Sequence, residues 1–177
     1  MNLESPAAIG AELLVIGYGN SLRRDDGVGP RVAEAIEALN LPGVQTLVCQ
    51  LLSPEHADPI SRARRVIFVD AAVDRIDGVH FRKLEPGETS QLMAHAADPR
   101  TMLALSRDVF GRVPEAWWLT IPAIHLGFGT DYSSAAEAGF HSAVAEIKRL
   151  ADIYSPRNTN KSPSIGNLRK AAFPLAA

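Results

Sequence analysis

Apolar residues in this chain fall into short continuous runs that alternate with stretches of helical spacing. The run Leu13–Ile16 is too short for a helix and reads as a buried strand of about 4–6 residues. It breaks at Gly17-Tyr18-Gly19-Asn20, residue types that permit a sharp turn. Beyond Gly27, Gly29 and Pro30, the residues Val32, Ile36 and Leu39 share one helical stripe, and Leu41-Pro42-Gly43 stops that helix. Val44–Gln50 predicts a second strand holding Val48 and Cys49. Ser53-Pro54-Glu55 predicts a helix start, with serine as cap and proline at the first helical position; Pro59 should interrupt this helix. Val66–Val69, flanked by Arg65 and Asp70, is apolar without alternation, as expected of a central parallel strand buried on both faces. Gly78–Leu84 alternates imperfectly and predicts a fourth strand.

Thr89–Ala97 has no clear period. Asp98-Pro99 opens a helix with Met102, Leu105 and Val109 on one side. Ala116–Pro122 predicts a fifth strand, in which Trp117 and Trp118 divide into one core and one partly exposed ring. After a loop over Gly127–Ser133, Ala135–Ala151 is an amphipathic helix with Phe140, Val144, Ile147 and Ala151 at helical spacing. Strand–helix–strand order implies right-handed parallel crossovers. The predicted fold class is α/β: a three-layer, mostly parallel, twisted five-stranded sheet with helices on both faces. The predicted boundaries are a single domain over 1–154 and a disordered tail over 155–177, where Pro, Ser and Asn replace the apolar pattern.

The chain's 177 residues are enough to bury a full core. A net charge of −2 gives no electrostatic reason to expect nucleic acid or an anionic membrane as partner. No apolar run approaches the roughly 20 residues a membrane helix needs. The N-terminal stretch carries Glu4 and no basic region, so it does not read as a secretory signal. The single cysteine, Cys49, cannot form an internal disulfide and reads as a small core residue. These features lead to the expectation of a cytoplasmic protein.

The candidate chemistry gathers after the first strand. Gly17-x-Gly19 carries two glycines of a dinucleotide fingerprint, but Leu22 stands where the third should be. Asp25 and Asp26 stand where phosphate would lie and would repel it. A Gly-Lys-Ser/Thr phosphate loop is absent. An acidic loop at a helix start suits a cation, or caps the helix; adjacent residues point apart, so one acid capping and one facing a cleft is the natural division. If the first and third strands are neighbours, Asp25 or Asp26 meets Asp70 in one crevice at the carboxyl edge of the sheet. Asp70 could equally be an ordinary turn residue. No Gly-x-Ser-x-Gly elbow is present, and Cys49 sits within a strand, so neither a serine nor a cysteine nucleophile is supported.

The stretch Gly17-Tyr18-Gly19-Asn20, Leu22, Asp25-Asp26-Gly27-Val28-Gly29 resembles the N-terminal signature of the hydrogenase maturation endopeptidases, which trim the C-terminus of the large subunit of nickel–iron hydrogenases. Gln50-Leu51-Leu52-Ser53-Pro54-Glu55, Val66-Ile67-Phe68-Val69-Asp70-Ala71, Ile121-Pro122-Ala123 and Gly127-Phe128-Gly129 are similar to later segments of that family. The resemblance spans roughly residues 12–152. It implies a metal-binding set of Asp26, Asp70 and His95, with Asp26 and Asp70 also catalytic. Asp26 stands where some members have glutamate, and the surroundings of His95 match weakly; His125 is the fallback ligand. Two carboxylates and an imidazole suit a borderline divalent ion. The resemblance further implies that this ion is nickel, carried by the substrate precursor, and that the partner is a hydrogenase large-subunit precursor met by a monomer. Water would attack the scissile carbonyl, activated by the metal or by one of the acids. The competing readings are a related metallopeptidase with another protein substrate and a non-catalytic metal- or nucleotide-binding α/β module.

Overall fold

The computed structural model describes residues 10–74, 77–87 and 98–155. Its elements are β1 (Leu13–Tyr18), α1 (Val28–Ala38), β2 (Val44–Cys49), α2 (Ala57–Arg62), β3 (Arg65–Ala72), β4 (His80–Leu84), α3 (Pro99–Phe110), β5 (Glu115–Pro122) and α4 (Ser134–Tyr154). One sheet of five strands runs in the order β2-β1-β3-β5-β4. The first four in that order are parallel, and β4 pairs antiparallel at the edge. The α/β class, the five strands and the parallel crossovers all follow the sequence pattern. His95 and the proposed tail beyond residue 155 lie outside the described residues.

Two apolar cores sandwich the sheet. One joins Leu13 and Val15 of β1, Ile67 and Val69 of β3, and Leu119 and Ile121 of β5 to α1 and α4. The other joins Leu14 and Ile16, Val66 and Phe68, and Ala116 to α2 and α3. The period-2 alternation of strands sends successive residues to opposite faces, so continuous apolar runs fill both cores. Ile67, Phe68 and Val69 are all fully buried.

Several finer expectations are corrected. Pro59 does not interrupt the second helix: a 3-10 turn over Pro54–His56 runs directly into α2, and Pro59 falls in its first turn, where a missing N–H costs no helical bond. Leu39 closes α1 but is 41% exposed. Val109 is 64% exposed, and the buried side of α3 runs through Met102, Leu103 and Ser106 instead. In α4 the fully buried stripe is Ala136, Gly139, Ala143, Ile147 and Leu150, with Phe140 and Val144 packed at its margin. Both tryptophans are half-buried, on opposite faces: Trp117 stacks between Phe81 and Tyr154, whereas Trp118 lies under the Arg82 guanidinium. Cys49 is half-buried on an edge strand. Among the described residues no helix is long and apolar enough to cross a membrane.

Candidate functional site

The site is built on the carboxyl ends of β1 and β3, which are hydrogen-bonded neighbours. Close approach of α1 to this sheet edge dictates the glycines. A Cβ at Gly29 would stand 2.5 Å from the carbonyl oxygens of both Tyr18 and Val69, and one at Gly17 would overlap the Gly29 carbonyl. Gly19 has a φ of 137°, a conformation that side chains rarely tolerate. The helix start is thereby drawn down between the two strands, with a 3-10 turn at Arg24–Gly27 preceding it.

Asp25 and Asp26 separate, as adjacent residues should, but the expected cap is not found. Neither caps a helix: the turn and α1 both begin without a side-chain cap. Asp25 is fully buried. Its carboxylate accepts the backbone N–H groups of Ile124 (2.8 Å), His125 (2.9 Å) and Ser133 (2.7 Å), all in the loop between β5 and α4. Burial alone would raise its pKa, but these donors, aided by the Ser133 hydroxyl, outweigh that effect and hold the carboxyl below its ordinary range. The same two loops are laced by backbone bonds from Arg24 to Gly129 and from Gly129 to Leu22. The Arg23 and Arg24 side chains donate to the carbonyls of Leu126 and Phe128. Because β3 lies between β1 and β5, this lacing passes over the end of β3.

Asp26 is half-exposed, and its Oδ2 accepts the Asn20 N–H at 3.0 Å. Asn20 Oδ1 in turn accepts the Leu22 N–H. Asp70, near the end of β3, is clamped from two sides: Tyr18 donates its hydroxyl to Oδ2 at 2.7 Å, and the Ala71 N–H donates to Oδ1 at 2.8 Å. Burial, with a smaller contribution from the Asp26 charge, pushes the Asp70 carboxyl up to about 6 against the opposing hydrogen bonds from Tyr18 and Ala71. Because β1 and β3 are paired neighbours, the loop after β1 that carries Asp26 and the end of β3 that carries Asp70 lie at the same edge of the sheet. Burial, then the Asp70 charge, raises the Tyr18 hydroxyl well above the ordinary phenol value, so it serves as a donor.

His125 is exposed on the loop that Asp25 pins. The other described histidines are engaged elsewhere: His56 in a reciprocal cap with Ser53, His80 with Asp77, and His141 against the Phe140 ring. Among the described residues no group of three or more histidine, cysteine or acidic side chains is placed to hold a metal ion. Asp26 and Asp70 are two hard oxygen donors, a partial set for a divalent cation. The Cys49 thiol, raised to about 11 by burial and by the Glu55 charge, is a poor nucleophile. Sequence reasoning missed Tyr18. Its only signal is a phenol at the end of an aliphatic strand, two and four residues beyond Ile16 and Leu14 and hence on their face.

A cavity of about 600 Å³ adjoins Asp70 and extends across β5 to β4, with Thr120, Trp118, His80 and Arg82 in its lining. No protein-family model and no curated protein matches the sequence. Solved structures do. A hydrogenase 2 maturation peptidase from a Thaumarchaeota archaeon is similar at 23% identity and a TM-score of 0.59, over 78% of this chain and 97% of that one. The hydrogenase maturating endopeptidase HybD from E. coli is similar at 23% identity and a TM-score of 0.60, over 80% and 91%. The [NiFe] hydrogenase maturation protease HycI from Thermococcus kodakarensis is similar at 21% identity and a TM-score of 0.59, over 81% and 92%. At this identity the likeness is one of architecture, and the chain adopts the fold of the hydrogenase maturation peptidases.

Proposed function

We propose that the chain is a hydrogenase maturation endopeptidase, which removes a C-terminal extension from the nickel-loaded large-subunit precursor of a nickel–iron hydrogenase. The observation that supports this reading is the pairing of β1 with β3, which opens the loop carrying Asp26 and the strand end carrying Asp70 onto one edge of a sheet whose architecture recurs in proteins named as maturation peptidases. Nickel enters as cargo of the substrate. Asp26 and Asp70 supply oxygen ligands, and His95 is the proposed nitrogen ligand. The cation favours the ionised form of Asp70, whose affinity for a proton burial has raised. Water attacks the scissile carbonyl; a carboxylate accepts its proton, and the departing amine takes a proton as the C–N bond breaks. An empty precursor presents no cation to these acids, so cleavage reports completed metal insertion.

Purified protein added to nickel-loaded precursor should release a short C-terminal peptide and shift the precursor on a gel, with nickel-free precursor left uncut. A complex without cleavage would favour a binding module instead. Asp26→Asn and Asp70→Asn should abolish processing while the far-ultraviolet circular dichroism spectrum stays unchanged. Full activity in Asp70→Asn refutes the site. His95→Ala should weaken precursor recognition; if His125→Ala does so instead, the nitrogen ligand is His125.

A further inference from the structure

The cavity beside Asp70 has two electrical poles. Asp70, Asp74 and the neighbouring Asp26 make one end negative. The opposite wall carries Arg82 on edge strand β4. Its guanidinium lies 4.6 Å from the centroid of the Trp118 ring. Arg82 makes no ion pair among the described residues, whereas its neighbour Lys83 pairs with Glu85. A guanidinium stacked on indole is held in orientation and keeps its N–H edges free for a carboxylate. Asp70, Thr120 and His80 occupy one row across β3, β5 and β4, and Trp118 and Arg82 occupy the next. Strand alternation puts all five on one face.

From this arrangement we infer that Arg82, on its Trp118 platform, is a subsite for a carboxylate of the peptide whose scissile bond lies at Asp26 and Asp70. The inference rests on the proposed peptidase reading and deepens it. Two strand spacings and one two-residue step separate the Cα atoms of Arg82 and Asp70 by about 12 Å. An extended peptide covers that span in about three to four residues. The preferred substrate therefore carries an acidic group about three residues from the cut, with the metal-bearing end at the acids and the anionic end at the arginine.

The test separates subsite from peptidase. The full-length protein, without nickel, is titrated with capped octapeptides that are identical except for one glutamate or glutamine, followed by tryptophan fluorescence. The glutamine peptide with a free C-terminal carboxylate is included, to distinguish a side-chain from a terminal source. Wild type should prefer one carboxylate-bearing peptide to its neutral counterpart by about tenfold. Arg82→Ala should remove that preference, Arg82→Glu reverse it, and Arg82→Lys retain part of it. Equal binding of charged and neutral peptides by wild type, or an unchanged preference in Arg82→Glu, overturns the subsite. On nickel-loaded precursor, a glutamate introduced three residues from the cut, on one side or the other, should lower KM for wild type and not for Arg82→Ala, with kcat unchanged. Charge preference without any processing leaves the subsite standing and removes the peptidase reading; processing with no dependence on Arg82 does the reverse.

Discussion

Asp25→Asn tests the claim that this acid holds two loops together and takes no part in the chemistry. The native carboxylate has two acceptor oxygens and three backbone donors, all removed from water. Asparagine retains one oxygen. In its best orientation that oxygen keeps Ile124 and His125 as neutral-acceptor bonds, and its NH₂ is turned against the Ser133 N–H. Hydrogen bonds to a charged acceptor contribute about 1.5–3 kcal/mol each, and a buried donor left unsatisfied costs about 1–3 kcal/mol. The expected loss is therefore about 3 kcal/mol, a fall of about 6–12 °C in Tm for a chain of this size. Urea unfolding followed by circular dichroism measures it. The folded-state pKa of Asp25 is depressed, so its contribution is present above the unfolded value near pH 4 and is lost as pH falls through the folded value. The gap between wild type and variant should accordingly be full at pH 7 and narrow in acid. A variant within about 0.5 kcal/mol of wild type at pH 7 would refute the bracing role.

Asp70→Asn should behave in the opposite way. The folded Asp70 pKa is raised to about 6, so the stability it allows is greatest below about pH 4 and is lost as pH rises through 6. Relative to wild type, the variant should gain about 1–3 kcal/mol of stability at pH 7 while losing processing, read from paired urea titrations at pH 4 and pH 7. Gly29→Ala should cost several kcal/mol, on the order of 3 or more, because the new methyl meets two carbonyl oxygens of β1 and β3; thermal melts would show it, and a native Tm would contradict the packing. Arg31→Ala removes the ion pair with Glu137 and a guanidinium held between the Tyr132 and Phe140 rings, and should lower stability by about 1–2 kcal/mol in the same titrations.

Continuous apolar runs located β1, β3 and β5 because parallel strands buried on both faces leave no ambiguity of period. Helix faces were less legible. Apolar spacing put Val109 on the buried side of α3, whereas Ser106 lies inward, its hydroxyl donating to the Ala57 and Met102 carbonyls. A serine satisfied in this way is invisible to hydrophobicity. In α4 the buried side is lined by Ala136, Gly139 and Ala143, small residues whose burial is set by how closely the helix approaches β5. The site divided along the same line. Asp70 could be singled out because an acid closing an apolar strand is locally conspicuous, whereas the residues alone left Asp25 and Asp26 undivided and only the family resemblance chose Asp26. The partners of Asp25 and Asp70 are backbone amides and a phenol brought in by tertiary contact, which no spacing rule reports.

Two adjacent acids thus have separate tasks that depend on one another. Asp25, ionised and enclosed by amides, ties the loop after β5 to the loop after β1 across the end of β3. That lacing leaves Asp26 at the rim, bonded by a single described contact to Asn20, close enough to raise the proton affinity of Asp70. Among the described residues, the donors to Asp70 are the Tyr18 hydroxyl and the Ala71 N–H, against three backbone N–H groups at Asp25. At Asp70 burial outweighs those neutral donors, whereas at Asp25 the amides outweigh burial. The difference in proton affinity between the two carboxyls therefore follows from their partners, and the three backbone amides on Asp25 give it the bracing role.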